Sequence, residues 1–171
     1  IAEPAQPGST HARTMDADGQ HPADSIAAFM AASAGAPRAM ILGRAIFGGG
    51  APGWRVQGRR LSNWFVNRET FDVHIADSLF GFRVYPIAPL LQIMLGRRGM
   101  RRFDFDAEAV VRLSWHGVKP VNLDASVRYL SAGEGGISHF NYYRDNALLA
   151  GMHLRLMGGF LVRALLRLLR R

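Results

Sequence analysis

The spacing of apolar residues along the chain predicts helices that alternate with short strands. Ile26, Phe29 and Met30 recur at helical spacing after Pro22, a residue that suits the first turn of a helix. The apolar run over 39–43 is typical of a buried strand. The pattern therefore predicts a helix followed by a buried strand.

A long amphipathic helix is predicted next from the apolar residues Leu61, Trp64, Phe65, Phe71 and Ile75. The remaining pattern predicts strands over 82–85 and 102–105, helices over 89–95 and 108–115, and strand segments over 120–123 and 125–129. Such an alternation predicts an α/β fold whose ligands bind at strand ends.

From Asp145 onward, leucines and methionines are interrupted by arginines that share one helical arc, namely Arg155, Arg163, Arg167 and Arg170. No uncharged stretch approaches the ~18 apolar residues that a spanning helix needs. We therefore expect a domain over 1–138 and, over 139–171, an amphipathic helix that lies on a membrane surface. A helix that packs on the sheet and a helix that binds a protein partner are the alternatives.

Composition narrows the class of partner. The 171 residues are 49% hydrophobic, which is enough for a core, and 21 Lys and Arg against 13 Asp and Glu give a net charge of +8. An anionic partner is therefore expected: nucleic acid, anionic lipid or a phosphate-bearing substrate. The absence of cysteine excludes disulfides and thiolate metal sites.

Candidate metal ligands lie close to the start of the chain. Asp16 and Asp18 are two residues apart, so in an extended segment they point to the same side, and Gln20 follows at the same step. Carboxylate and amide oxygens suit Mg²⁺ or Mn²⁺ held partly by the phosphates of a substrate. An Asx-type turn is the alternative for an isolated pair of this kind.

Four further motifs follow in order, at 77–83 (DSLFGFR), 105–108 (FDAE), 128–129 (RY) and 133–140 (GEGGISHF). Over about 10–146 the chain resembles the family 2 glycosyltransferases, and among them the polyprenyl-phosphate sugar synthases similar to dolichyl-phosphate mannose synthase. The resemblance implies a partial GT-A fold, a Rossmann-like mixed sheet flanked by helices. Members normally begin with a Pro-x-Asn-Glu type motif and a nucleotide-binding half, so we expect this chain to be the C-terminal part of a longer protein or the product of a decayed gene.

The resemblance also implies roles for individual residues. Asp16, Asp18 and Gln20 would hold the metal that bridges to the donor diphosphate. The candidate substrate-binding residues are Arg44, Arg60, Gly81, Arg83, Arg128, Ser138 and His139. Arginine suits phosphate because its fork presents parallel donors, although a solvated surface charge is the alternative for each. The family has a basic residue where this chain has His139.

The need for a catalytic base depends on the acceptor. A polyprenyl phosphate is already ionised, so it needs no strong base, whereas a hydroxyl acceptor needs a carboxylate, for which Asp77 and Asp106 are the candidates. Asp106 and Glu108 alternatively cap the helix that follows them, and capping is the favoured interpretation for Glu108.

The resulting expectation is a transferase of the cell envelope at the cytoplasmic face of a membrane. It would move a sugar from a nucleotide-sugar donor, with metal assistance and inversion, to a lipid-linked acceptor. The alternative is a non-catalytic, basic, membrane-binding remnant of such an enzyme. Nucleic-acid binding rests on charge alone, since the chain lacks an RNA-binding aromatic motif or a zinc finger.

Overall fold

The computed structural model describes residues 8–15, 24–47, 53–95, 100, 103–127 and 142–170. In chain order the elements are β1 (His11–Thr14), α1 (Asp24–Gly35), β2 (Met40–Phe47), α2 (Gly53–Glu69), β3 (Arg83–Pro86), α3 (Ile87–Met94), α4 (Phe105–Trp115), β4 (Pro120–Val127) and α5 (Tyr142–Leu169). This mixed α/β architecture confirms the predicted fold class, and the assignment to the GT-A fold stays a prediction.

The four strands of the described part form one mixed sheet in the order β1–β3–β2–β4. Strand β3 is antiparallel to both β1 and β2, whereas β2 and β4 are parallel from Met40↔Pro120 to Phe47↔Val127. Strands β1, β2 and β4 therefore run in the same direction. Their carboxyl ends meet at one edge of the sheet, the edge at which α/β proteins bind ligands.

Helices cover both faces of the sheet, which explains the unbroken apolar run in β2. Met40 and Leu42 belong to a core shared with helices α2 to α5. Ile41 points to the other face and packs with residues of α1, where the rings of Phe29 and Phe82 stack at 4.1 Å. One strand thus contributes to two hydrophobic cores.

The predicted long helix ends earlier than its apolar pattern suggested. Helix α2 stops at Glu69, and Phe71 and Asp72 both have a φ of 60°, in the left-handed region that an α-helix cannot continue through. Asn67 then holds the loop, since its side chain accepts from the Ile75 amide at 2.8 Å and donates to the Ile75 carbonyl at 3.0 Å. Phe71 and Ile75 are therefore loop residues that pack on the domain.

Two further predictions at the level of elements need correction. Residues 103–104 form a turn and α4 begins at Phe105, so the strand predicted over 102–105 is wrong. Charged and aromatic residues alternate over 102–105, and this period of two residues is the spacing typical of a strand. The two segments predicted over 120–129 form the single strand β4, and β1 has no counterpart among the predicted elements.

Helix α5 docks on the domain through one side only. Met152 and Leu156 are fully buried, and Gly159 lies so close to Trp115 that a Cβ would come within 2.8 Å of its ring. The segment Tyr143–Leu169 is long and apolar enough to cross a membrane, with a mean hydropathy of 1.3 and 17% of its most apolar window buried. The core helix of a soluble protein can be equally long and equally apolar. Length and composition therefore indicate only that α5 is able to bind a membrane.

Candidate functional site

The 77–83 motif meets the end of β1 at the edge where β1, β2 and β4 end. Thr14, the last residue of β1, donates a hydrogen bond from Oγ1 to the Gly81 carbonyl at 3.0 Å and lies opposite Arg83 in the sheet. Asp16 follows Thr14 by two residues. The start of the sheet is thereby joined to the 77–83 motif across 67 residues of sequence.

Arg44 lies on β2 at this edge and faces the neighbouring strand. Its Nε and Nη2 donate to the two carboxylate oxygens of Asp124 at 2.6 and 2.7 Å. These hydrogen bonds lower the pKa of the Asp124 carboxyl and raise the pKa of the guanidinium. The stabilisation from this exposed pair is lost as the pH falls through the lowered pKa of Asp124. A phosphate that binds Arg44 has to compete with Asp124.

Asp77 ties the 77–83 motif to the end of β2. Its side chain is 3% exposed, and its Oδ1 accepts from Arg59 Nη1 at 2.6 Å and from the Leu79 amide at 3.1 Å. The other oxygen, Oδ2, accepts from the Ala45 amide at 3.3 Å. Asp77, the candidate base, therefore fixes the 77–83 loop beside β2, with Arg59 as its counterion.

The predicted phosphate ligand Arg83 is completely buried. Its guanidinium donates to the carbonyls of Phe80, Asp106 and Asp77 at 2.6, 2.8 and 3.3 Å, and to the Tyr85 hydroxyl at 3.2 Å. Burial acts to lower the pKa of Arg83, but Tyr85 and the acidic neighbours outweigh it and raise the pKa. In this structure Arg83 joins β3 to α4 and has no exposed surface for a substrate.

The carboxylates of the 105–108 motif lie in the first turn of α4. Asp106 is 21% exposed, and its Oδ1 is 3.6 Å from Arg83 Nε, so it lies at the same buried junction. Glu108 is directed elsewhere, since its oxygens pair with Arg112 at 2.6 Å and with Arg155 of α5 at 3.2 Å. The predicted capping role of Glu108 is therefore not observed. Its carboxylate links two helices instead.

A close backbone approach explains one glycine of the site. A Cβ on Gly43 would lie 2.6 Å from the Phe80 ring and 2.7 Å from the Phe82 carbonyl, which accepts the Gly43 amide at 3.0 Å. Any side chain at this position would push β2 away from the 77–83 motif. Gly81, the candidate from the sequence, is buried beside it.

Of the remaining candidates, the structure describes one. Arg60 is exposed on α2. The other predicted ligands lie outside the described residues, namely Asp16, Asp18, Gln20, Arg128, Ser138 and His139. In the part of the chain that the structure describes, no group of three or more His, Asp or Glu side chains is placed to hold a metal ion.

A buried polar pair next to the site was not predicted. Glu69 is fully buried at the end of α2, and its two oxygens lie 2.9 and 3.2 Å from Nδ1 of His153 on α5. The imidazole stacks on Phe65, with ring centroids 5.0 Å apart. The pair therefore connects α5 to the body of the domain through a charge-assisted hydrogen bond.

Hydrogen bonds continue from this pair to the 77–83 motif. His153 Nε2 lies 3.4 Å from the Ser62 hydroxyl, which lies 3.0 Å from the Ser78 hydroxyl, and Ser78 donates to Asn63 Oδ1 at 2.7 Å. Ser62 and Glu69 are seven residues apart on one face of α2. This spacing could have indicated from the sequence that Glu69 lies on the buried face of α2 and needs a polar partner, because a charged residue on a buried helical face requires one.

No family model, curated protein or solved structure matches this chain. The fold, the sheet edge and the contacts of the 77–83 motif are established by the structure itself. The family assignment rests on the order of motifs in the sequence.

Proposed function

We propose that this chain is the catalytic region, or part of the catalytic region, of a metal-dependent family 2 glycosyltransferase with a GT-A fold. The observation that carries the proposal is the hydrogen bond between Thr14 and Gly81. It brings the strand that leads into Asp16 and Asp18 next to the 77–83 motif, at the edge of the sheet where α/β proteins bind ligands. The end of β1 and the 77–83 motif thus meet at one edge, which supports a shared site for the motif that follows β1 and the 77–83 motif.

The donor set of Asp16, Asp18 and Gln20 fits a hard divalent cation, Mg²⁺ or Mn²⁺. When bound, the cation would offset the negative charge of the departing diphosphate. Among the candidate arginines that the structure describes, Arg44 and Arg60 have exposed surface to offer a donor phosphate. Asp77, held by Arg59, keeps the 77–83 loop in place at this edge of the sheet.

The proposed acceptor is a lipid-linked phosphate, delivered at a membrane surface on which α5 lies. An ionised phosphate oxygen attacks the anomeric carbon in a single displacement, with inversion and without a strong base. Asp106, with 21% of its side chain exposed, is the carboxylate better placed to serve a hydroxyl acceptor than the buried Asp77.

Metal binding tests the proposed ligand set. We expect Asp18→Ala to weaken Mn²⁺ binding, followed by the electron paramagnetic resonance of free Mn²⁺ in the presence of a nucleoside diphosphate, by at least roughly tenfold. Asp72→Ala is the matched control, because it removes an exposed carboxylate that pairs only with Arg68 among the described residues. Equal Mn²⁺ affinity in Asp18→Ala and Asp72→Ala would contradict the assignment.

The second candidate function is a basic, membrane-binding remnant without catalytic activity. It is favoured by the apolar outward face of α5, which the domain leaves uncovered. This candidate predicts that the chain binds vesicles but binds neither Mn²⁺ nor a nucleoside diphosphate.

A further inference from the structure

We propose that the cleft between Trp115 and the C-terminal half of α5 binds the phosphate group of an anionic bilayer lipid. This inference deepens the membrane association proposed above and rests on it. The cleft has a volume of about 220 Å³ and is lined by Trp115, Arg163, Leu166, Arg167 and Arg170. Three guanidinium groups therefore surround a space beside an indole ring.

Aromatic rings hold two of these arginines in fixed orientations. The Cζ atom of Arg163 lies 3.9 Å from the centroid of the Trp115 ring, and that of Arg167 lies 3.6 Å from the centroid of the Phe71 ring. Phe71 in turn packs against Phe160 of α5 at 4.7 Å. Stacking fixes the plane of a guanidinium and leaves its N–H groups at the edge, the arrangement that suits phosphate oxygens. One of these groups, Nη1 of Arg163, donates to the Gly159 carbonyl at 3.3 Å.

The charge of the cleft requires an anion. From residue 146 to residue 170 the sequence contains four arginines and no Asp or Glu. Within the described residues, Arg167 and Arg170 pair with no carboxylate. Because each arginine fork presents parallel donors, phosphate is a better match for this cleft than a single carboxylate.

The opposite side of α5 identifies the anion as part of a bilayer. Leu154, Leu161, Leu165 and Leu168 lie across the helix from Arg163 and are 57 to 77% exposed. An interfacial helix buries its apolar face about 5–10 Å deep, and a helix with its side chains is about 10 Å wide. With the leucines in hydrocarbon, the arginines therefore lie at the level of the lipid phosphates.

Nucleic acid fits the same surface less well. A phosphodiester backbone would satisfy the arginines but leave the four leucines in water, where a contiguous apolar stripe is unfavourable. In an anionic bilayer, by contrast, the leucines contact hydrocarbon while the arginines contact lipid phosphates. The rotation of α5, fixed by the burial of Met152 and Leu156, is what presents both faces in this way.

The test compares sedimentation of the whole chain with phosphatidylcholine vesicles and with vesicles that also contain phosphatidylglycerol. The decisive variant is Arg163→Lys with Arg167→Lys, which keeps the charge but removes both forks and weakens the stacking. We expect its affinity for the anionic vesicles to fall roughly tenfold, as expected for the loss of a charge-assisted hydrogen bond. The matched control, Arg144→Lys with Arg155→Lys on the same helix, should bind like the unmodified chain.

Trp115 reports occupancy of the cleft directly. In a Trp54→Phe, Trp64→Phe background Trp115 is the only indole, and its fluorescence should be quenched by a lipid spin-labelled at the headgroup. The lysine variant should lose this quenching while its helical circular dichroism is unchanged. That combination separates loss of the cleft from loss of the fold.

Several outcomes would overturn the proposal. Unchanged binding and quenching in the lysine variant would mean that diffuse charge suffices, and the membrane association would stand without the cleft. No binding to either kind of vesicle would contradict both the membrane association and the lipid-phosphate site in the cleft. Dimerisation through the leucine face, or protection of Trp115 by inorganic phosphate without vesicle binding, would assign these surfaces to a second copy or to a soluble phosphate.

Discussion

Replacing Arg83 with methionine should lower the free energy of unfolding by about 3–5 kcal/mol, the cost of removing one partner from a buried charged network. Arg83 is fully buried and donates to three main-chain carbonyls and the Tyr85 hydroxyl. Methionine has similar length but no donor, so these acceptors would stay buried without their hydrogen bonds. Arg83→Met should therefore separate β3 from the start of α4.

Urea unfolding followed by circular dichroism measures this loss. The control is Arg68→Met, which makes the same chemical change at a half-exposed arginine of an i,i+4 surface pair. Its unfolding midpoint should stay close to that of the unmodified chain. If Arg83→Met unfolds at the same urea concentration as Arg68→Met, the buried network does not stabilise the fold.

Replacing His153 with alanine should destabilise the chain by about 3–5 kcal/mol, because it leaves the buried carboxylate of Glu69 without its hydrogen-bond partner. Within the described residues His153 is the only side chain that pairs with the Glu69 carboxylate. The change also removes the bond to Ser62 and the stacking on Phe65. We expect α5 to undock first, since His153 lies beside its main buried contact, Met152.

Amide hydrogen exchange resolved along the chain measures the undocking of α5. In His153→Ala, protection should fall more in α5 than in β2. Leu154→Ala is the control, because its side chain is the next one along the helix and is 77% exposed. The double variant Glu69→Leu, His153→Leu should be more stable than His153→Ala, since it removes the buried charge together with its partner. A double variant that is less stable than His153→Ala would contradict this account.

The apolar period predicted most of the elements because burial follows that period. The strand at 39–43 and the helices after 22, at 89–95 and at 108–115 all lie near observed elements. The predicted bounds were wrong where the backbone leaves the helical conformation although the apolar spacing continues. The left-handed φ at Phe71 and Asp72 ends α2, although Phe71 and Ile75 continue its apolar pattern by packing from a loop.

The candidate site was predictable only in part. Asp77, Gly81, Arg83 and Asp106 were selected from their motifs, and the structure brings them together at the junction of β3 and α4. What the sequence could not show is that Arg83 turns inward, because burial of this arginine depends on carbonyls supplied by two separate segments, the loop before β3 and the first turn of α4. The sequence pointed to Arg60, but Arg59 is the arginine that pairs with Asp77. A one-residue step on a helix changes the direction of a side chain by 100°, so neighbouring arginines cannot both face the 77–83 motif.

The pairing of Glu69 with His153 joins residues 84 positions apart, so no local pattern identifies His153 as the partner of Glu69. It connects the helix that we propose to lie on a membrane with the 77–83 motif. Docking of α5 and the geometry of the candidate site are thus stabilised by the same buried hydrogen bonds.

The most direct test of the central claim is transfer of a labelled sugar from a panel of nucleoside-diphosphate sugars to a polyprenyl phosphate in vesicles. The account predicts that the chain transfers label to the lipid in the presence of Mn²⁺, and that Asp18→Ala lowers the rate by about 100-fold or more. Asp72→Ala should retain the rate. Transfer that is equally fast in Asp18→Ala, or the absence of transfer from every donor in a chain that binds the vesicles, would contradict the glycosyltransferase assignment.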